Sequence, residues 1–188
     1  MNLFPVSQAI ETLQDERTLG VLVECLRATT HLPGEQAEVG VFRGGTAEVI
    51  SRLMPEKRLH LFDTFAGQPE DDVHPRGLHK KGDFLTSLAL VRKNLQGRNV
   101  VFHPGYFPDT TAGLEDLRFS FVHVDCDLYQ GCKAAIVFFW PRMVPKGIMV
   151  FHDYRWKCCP GIEQAVHEAF TPEMVCCVAE ITSCWVVK

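Results

Sequence analysis

The chain has 188 residues, of which 46% are hydrophobic and 22% charged, with a formal net charge of -4. That length suits one domain with a core of its own, and the ordinary composition excludes disordered and fibrous classes. The mild acidity excludes a dedicated nucleic-acid binder, which needs a basic face to displace counterions from phosphates; Lys80 and Lys81 are too few to make one.

In chain order, the opening MNLFPVSQAIETLQDER lacks a basic start followed by an apolar run. No later stretch is long and apolar enough to span a bilayer, so a cytoplasmic protein is expected. Leu19, Leu22, Val23 and Leu26 repeat at helical spacing, with Thr18 as the expected cap and Leu32-Pro33-Gly34 as the stop. The apolar run Ala37 to Phe42 reads as a strand, broken by Arg43-Gly44-Gly45, after which Ala47, Val49, Ile50 and Leu53 predict a helix ending at Pro55. Leu59 to Phe62 predicts a second strand, Leu88, Val91 and Leu95 a helix closed by Gly97, and Val100 to His103 a third strand.

Phe119 to Val124 reads as a buried strand, followed by a helix through Ala134, Ala135, Val137 and Phe138 that stops at Pro141. Gly147 to Phe151 is the fifth strand, and Ile162, Ala165, Val166, Ala169 and Phe170 form an amphipathic helix ended by Pro172. The tail from Met174 to Lys188 reads as two final strands. Strand and helix alternate throughout, which predicts an α/β, Rossmann-like parallel sheet with helices on both faces and ligands at the carboxyl ends of the strands. The polar segment from Ala66 to Gly82 is expected to be a mobile loop over the site. Of the eight cysteines, Cys126, Cys132, Cys176, Cys177 and Cys184 fall in apolar or strand-like segments and read as small hydrophobes with reduced thiols. Neither Cys158-Cys159 nor Cys176-Cys177 has the spacing of a zinc site.

Three motifs carry chemistry. In Glu38-Val-Gly-Val-Phe-Arg-Gly-Gly-Thr46, Gly40 permits a turn at the strand end, while Gly44 and Gly45 let backbone pass close to a ligand. Glu38 would repel a pyrophosphate but suits a ligand carrying an ammonium or sulfonium group. Asp63, about twenty residues beyond the turn, is placed to accept hydrogen bonds from ribose hydroxyls. Together these point to S-adenosylmethionine rather than a dinucleotide. The third motif is His123-Val-Asp125-Cys-Asp127-Leu-Tyr129 with His152-Asp153-Tyr154, which adjacent parallel strands bring to one sheet edge. Carboxylates gathered there need either a hard divalent cation or a proton held by one of them for acid–base work. Plain packing and capping roles remain the alternatives for these glycines, carboxylates and histidines.

The ordered set EVGVFRGGT, LFDTF, GDF at 82–84, HPGYFPDT at 103–110, HVDCDLY and FHDY resembles the macrocin O-methyltransferase family of metal-dependent sugar methyltransferases, from about Glu35 to the C-terminus. The resemblance implies a class I methyltransferase fold with a seven-stranded, mostly parallel sheet whose last strand is antiparallel, and methyl transfer to a sugar hydroxyl. It divides the chain into an N-terminal helical segment, 1–34, and a methyltransferase domain, 35–188. It implies that Glu38, Gly40, Gly44 and Thr46 cradle the amino-acid part of the cofactor and that Asp63 holds its ribose. Thr64 and Phe65 would flank the adenosine, and Gly105 belongs to the same cofactor set.

Asp125, with Asp153, would bind magnesium, and Asp127 would be the general base. The family commonly carries two acidic residues before the tyrosine of the last motif, and here His152 stands in place of the first. Imidazole suits manganese, iron or zinc better than magnesium, so Asp125, His152 and Asp153 form the expected metal set with the ion, and even its presence, open. His152 is the alternative base. Tyr129, Tyr154, His74, His79 and Lys80 are further candidates for contact with the acceptor. The expected partners are a small-molecule hydroxyl acceptor and a second copy of the chain, without nucleic acid or membrane. Competing readings are an NAD-dependent oxidoreductase, disfavoured by Glu38 and the missing G-x-G-x-x-G, and a cofactor-binding pseudo-enzyme acting through a partner surface.

Overall fold

The computed structural model describes residues 10–72 and 74–188; the first nine residues of the segment read above as 1–34, and position 73 of the polar loop, lie outside them. Helix α1 spans Glu16–Ala28, and its cap is Asp15 rather than Thr18: the Asp15 carboxylate accepts from the amides of Arg17 and Thr18. A carboxylate both satisfies orphan donors and meets the positive end of the helix dipole, so it displaces the later hydroxyl. Strand β1 is Glu35–Val39, starting two residues before Ala37 and ending three short of Phe42. Helix α2 is Gly45–Leu53, β2 Leu59–Asp63, α3 Leu88–Asn94, β3 Val100–Pro104 and β4 Phe119–Val124. Then follow α4 (Tyr129–Phe139), β5 (Met143–His152), α5 (Pro160–Ala169), β6 (Cys176–Cys177) and β7 (Ser183–Val187).

The strands form one seven-stranded sheet in the order β3-β2-β1-β4-β5-β7-β6. The first five pair in parallel, and β7 runs antiparallel to both of its neighbours. Reading β5 from Gly147 misses its start at Met143, because Lys146 takes φ +68° and the register with β4 shifts between Phe119 and Phe121. That irregularity lets a Pro-Lys-Gly sequence sit inside a strand. Strand β6 has only two residues at the sheet edge, so Cys176 and Cys177 are exposed rather than buried hydrophobes. All eight cysteines are free.

Alternate side chains of the sheet feed two cores. Phe62, Phe119, Val122 and Phe151 pack with Ile136 and Phe139 of α4 and Ile162 and Val166 of α5. On the other face Leu61, Phe121 and Val150 pack with Leu22 and Leu26 of α1, Ala47 and Ile50 of α2 and Val91 of α3. The N-terminal helix therefore shares one core with the sheet. Among the described residues, no helix is long and apolar enough to cross a membrane. The segment after β2 folds back on itself, with Gln68 N–H donating to Asp83 O (2.8 Å), Gly82 N–H to Gln68 O (2.9 Å) and Asp72 N–H to His79 O (2.9 Å).

Candidate active site

Parallel register lines up the carboxyl ends of β1, β2, β4 and β5. Val39 lies opposite Phe62 and Val124, and Val124 opposite Phe151, so Gly40, Asp63, Asp125 and His152 follow at one edge. A cavity of about 530 Å³ opens there, within the size range of small-molecule sites.

Gly40, at φ +87°, is where β1 breaks away from β4, and a Cβ on it would lie 1.8 Å from the Asp125 carbonyl oxygen. Only glycine allows both the left-handed turn and this approach. Asp63 holds the rest of the turn: its Oδ2 accepts from the amides of Val41 (2.7 Å) and Phe42 (3.0 Å), and its Oδ1 from that of Phe65 (2.7 Å). Of the sequence-predicted cofactor residues, Gly40, Thr46, Asp63, Thr64 and Gly105 line the cavity, while Glu38, Gly44 and Phe65 stand outside its lining. Glu38 is buried behind the turn, its Oε1 2.9 Å from His123 Nδ1 and its Oε2 without a partner among the described residues. Burial outweighs that bond and pushes the Glu38 carboxyl up to about 7.

The acidic half of the cavity gathers Asp125, Asp127, His152 and Asp153. His152 Nδ1 lies 2.9 Å from Asp125 Oδ1 and 3.0 Å from Asp153 Oδ2, yet it makes a well-aligned hydrogen bond with neither. The three ligand atoms lie within 4.8 Å of one another. Burial favours the neutral ring, but the two carboxylates prevail and push His152 up to about 11. Burial likewise opposes ionisation of Asp125, and the His152 charge overrides it, holding Asp125 well below the ordinary carboxylate range. Asp127 goes the opposite way: burial, then the charges of Asp153 and Asp125, raise its carboxyl well above that range. Asp127 and Asp153 both take left-handed backbone, at φ +60° and +59°, a conformation aspartate tolerates and one that clusters at functional sites.

Sequence reasoning missed the N-terminal contribution. Thr12 and Gln14, which belong to no motif, line the cavity, and Gln14 Nε2 donates to Asp125 Oδ2 (2.8 Å) and lies 3.2 Å from His123 Nε2. Gln68, Phe84 and Trp156 also line it. Of the candidate acceptor contacts only His79 reaches the cavity; His74 and Lys80 do not. Tyr154 is buried with its hydroxyl 2.8 Å from His167 Nε2, and the Tyr129 hydroxyl donates to Glu168 (2.7 Å). Both tyrosines turn away because their positions on the chain point into the α4–α5 layer rather than across the sheet edge.

The family profile described as Macrocin-O-methyltransferase (TylF) matches residues 7–174. Mycinamicin III 3''-O-methyltransferase of Micromonospora griseorubida is 30% identical over 178 residues, covering 84% of this chain and 69% of that protein. The 8-demethyl-8-(2,3-dimethoxy-alpha-L-rhamnosyl)-tetracenomycin-C 4'-O-methyltransferase of Streptomyces olivaceus is 27% identical, covering 73% of this chain and 58% of that protein. Among solved structures, the calicheamicin methyltransferase CalS11 matches with a TM-score of 0.76 at 18% identity, over 90% of this chain and 77% of the other. The O-methyltransferase NovP matches with 0.73 at 22%, over 90% and 78%. These two likenesses support the class I methyltransferase fold already visible in the strand order. With most of its length matched by the profile, the chain belongs to the macrocin O-methyltransferase family.

Proposed function

We propose that this chain transfers a methyl group from S-adenosylmethionine to a hydroxyl of a sugar carried by a small molecule, with a divalent cation beside the acceptor. The observation that carries the reading is the two-sided cavity: a glycine turn pinned by Asp63 on one side, and Asp125, Asp127, His152 and Asp153 on the other. The sugar hydroxyl as acceptor is taken from the relatives whose names specify positions on glycosylated products.

S-adenosylmethionine supplies an electrophilic methyl on a cationic sulfur, and carboxylates around the cavity suit that charge. Gly40 and Thr46 would seat its amino-acid end and Asp63 its ribose, using the one lone-pair site, on Oδ1, that the three backbone amides leave free. The main contribution of the protein is alignment of acceptor oxygen, methyl and sulfur, a term worth ~7–11 kcal/mol in well-oriented systems. Burial and the neighbouring carboxylates raise the Asp127 carboxyl, and in its ionised form it takes the acceptor proton. His152 is a poorer base, because a ring pushed up to about 11 already carries its proton at neutral pH.

Asp125, His152 and Asp153 fit a cation by their donor set and by the Nδ1 that lies between two carboxylates with no aligned hydrogen bond among the described residues. An ion there would lower the pKa of the acceptor hydroxyl and orient it. One observation favours a metal-free variant of the same reaction: a protonated His152 already neutralises the carboxylates that the ion would neutralise.

The test is release of S-adenosylhomocysteine from a panel of glycosylated acceptors and sugar nucleotides with magnesium, with manganese, and after chelation, beside titrations with S-adenosylmethionine and NAD. Acceptor-dependent release is expected, stimulated by the cations. Full turnover after chelation selects the imidazolium variant. Cofactor binding with no release from any acceptor leaves only a binding module, and saturable binding of NAD alone removes the proposal.

A further inference from the structure

A second group of ligating side chains adjoins the first and shares only Asp127 with the scheme above. His79 comes from the loop after β2, Asp127 from the end of β4, and Cys159 from the residue that precedes α5. His79 Nε2 lies 3.3 Å from Cys159 Sγ, and Asp127 Oδ1 lies 3.9 Å from each of the two. A tetrahedral zinc ion, with bonds of about 2.3 Å to sulfur and about 2.0–2.2 Å to nitrogen and oxygen, separates its ligand atoms by roughly 3.3–3.6 Å. The three atoms thus outline one face of such a tetrahedron to within a few tenths of an ångström.

The surroundings match as well. Metal-bound histidines carry a hydrogen-bond acceptor on the other ring nitrogen, and the Asp83 carboxylate lies 3.7 Å from His79 Nδ1, within ion-pair range though longer than a hydrogen bond. Gln68 Nε2 donates to Asp127 Oδ2, which leaves Oδ1 to the other two ligands. Cys159 is 1% exposed, whereas His79 and Asp127 line the cavity, so the fourth coordination position opens into it.

We propose that His79, Asp127 and Cys159 form a binding site for a soft divalent cation of the zinc type, distinct from the oxygen-rich set at Asp125, His152 and Asp153. Binding forms a metal–sulfur bond and releases the Cys159 thiol proton to solvent. It ties the loop after β2 to the start of α5 and occupies Asp127, so zinc inhibits a magnesium-supported reaction. The inhibitory consequence rests on Asp127 being the base; the binding itself does not.

Cobalt(II), a spectroscopic substitute for zinc, is titrated into the full chain with S-adenosylmethionine and excess magnesium present. A thiolate-to-cobalt charge-transfer band is expected in the unaltered protein, absent from Cys159→Ser and weakened in His79→Gln. Since loss of even an outer partner of a metal ligand costs about 10–100-fold in affinity, the zinc concentration giving half-inhibition should rise at least about tenfold in Cys159→Ser, with magnesium-supported turnover retained. No band in the unaltered protein, or an unchanged band in Cys159→Ser, overturns the site and leaves a thiol–imidazole hydrogen bond. A band that behaves as expected without zinc inhibition keeps the site and overturns Asp127 as the base.

Discussion

Gly40→Ala perturbs the closest backbone approach in the site. The added Cβ would lie 1.8 Å from the Asp125 carbonyl oxygen and 2.6 Å from its carbon, where real Cβ contacts do not fall below 3.0 Å, so β1 and β4 must part by more than 1 Å. Three costs combine. Left-handed backbone at φ +87° costs a non-glycine residue ~1–2 kcal/mol. Overpacking against backbone that cannot rotate away costs ~1–3 kcal/mol. Parting the strands also weakens the bond from Asp125 N–H to Val39 O (2.8 Å), at ~1 kcal/mol. The sum is a destabilisation of about 3–6 kcal/mol, a large share of the ~5–15 kcal/mol of a typical domain. Urea unfolding gives the stability, and calorimetric titration with S-adenosylhomocysteine gives the cofactor site. Even protein that stays folded should lose about 10²-fold in turnover, because Asp125 and Asp127 move with the strand. A loss below about 1 kcal/mol with unaltered binding would refute the claim that close approach is why glycine stands here.

Asp127→Asn should leave affinity for S-adenosylhomocysteine unchanged and lower turnover by about 10²–10⁴-fold, the usual share of a general base; undiminished turnover would move the base elsewhere. The same variant should be more stable at neutral pH. An acid whose folded pKa is raised costs stability once the pH passes its ordinary range, and the amide removes that cost. In His152→Glu no imidazolium offsets Asp125 and Asp153, so the melting temperature without cation should fall by the equivalent of ~3–5 kcal/mol. Magnesium should then raise it more than in the parent, and an equal response to magnesium would argue against an ion at these residues. His103, beside His60 at 2.8 Å, is held to about 4 by burial and then by that neighbour. Its folded value lies below the unfolded 6.5, so its contribution is present above pH 6.5 and is lost as pH falls from there toward 4. His103→Gln should flatten the melting-temperature slope in that window, and parallel slopes would count against the assignment.

The sequence by itself determined the layer order and one half of the site. Strand and helix periods are local, and parallel pairing places successive strand ends side by side. The glycine turn, Asp63, Asp125 and His152 therefore fall at one edge on sequence pattern alone. Family membership was legible for the same reason, being carried by ordered motifs at strand ends. What only the tertiary structure decided was long-range and side-chain specific. Gln14 reaches Asp125 across 111 positions and His79 meets Cys159 across 80, neither with a local pattern to announce it. The exposure of Cys176 and Cys177 followed from an edge strand two residues long. Glu38 adjoins the turn in sequence, but that its carboxylate faces His123 one strand away rather than the cavity is a long-range outcome. The opposed charge tendencies of Asp127 and His152 came from burial and from neighbours on adjoining strands, quantities that exist only once the chain has closed around them.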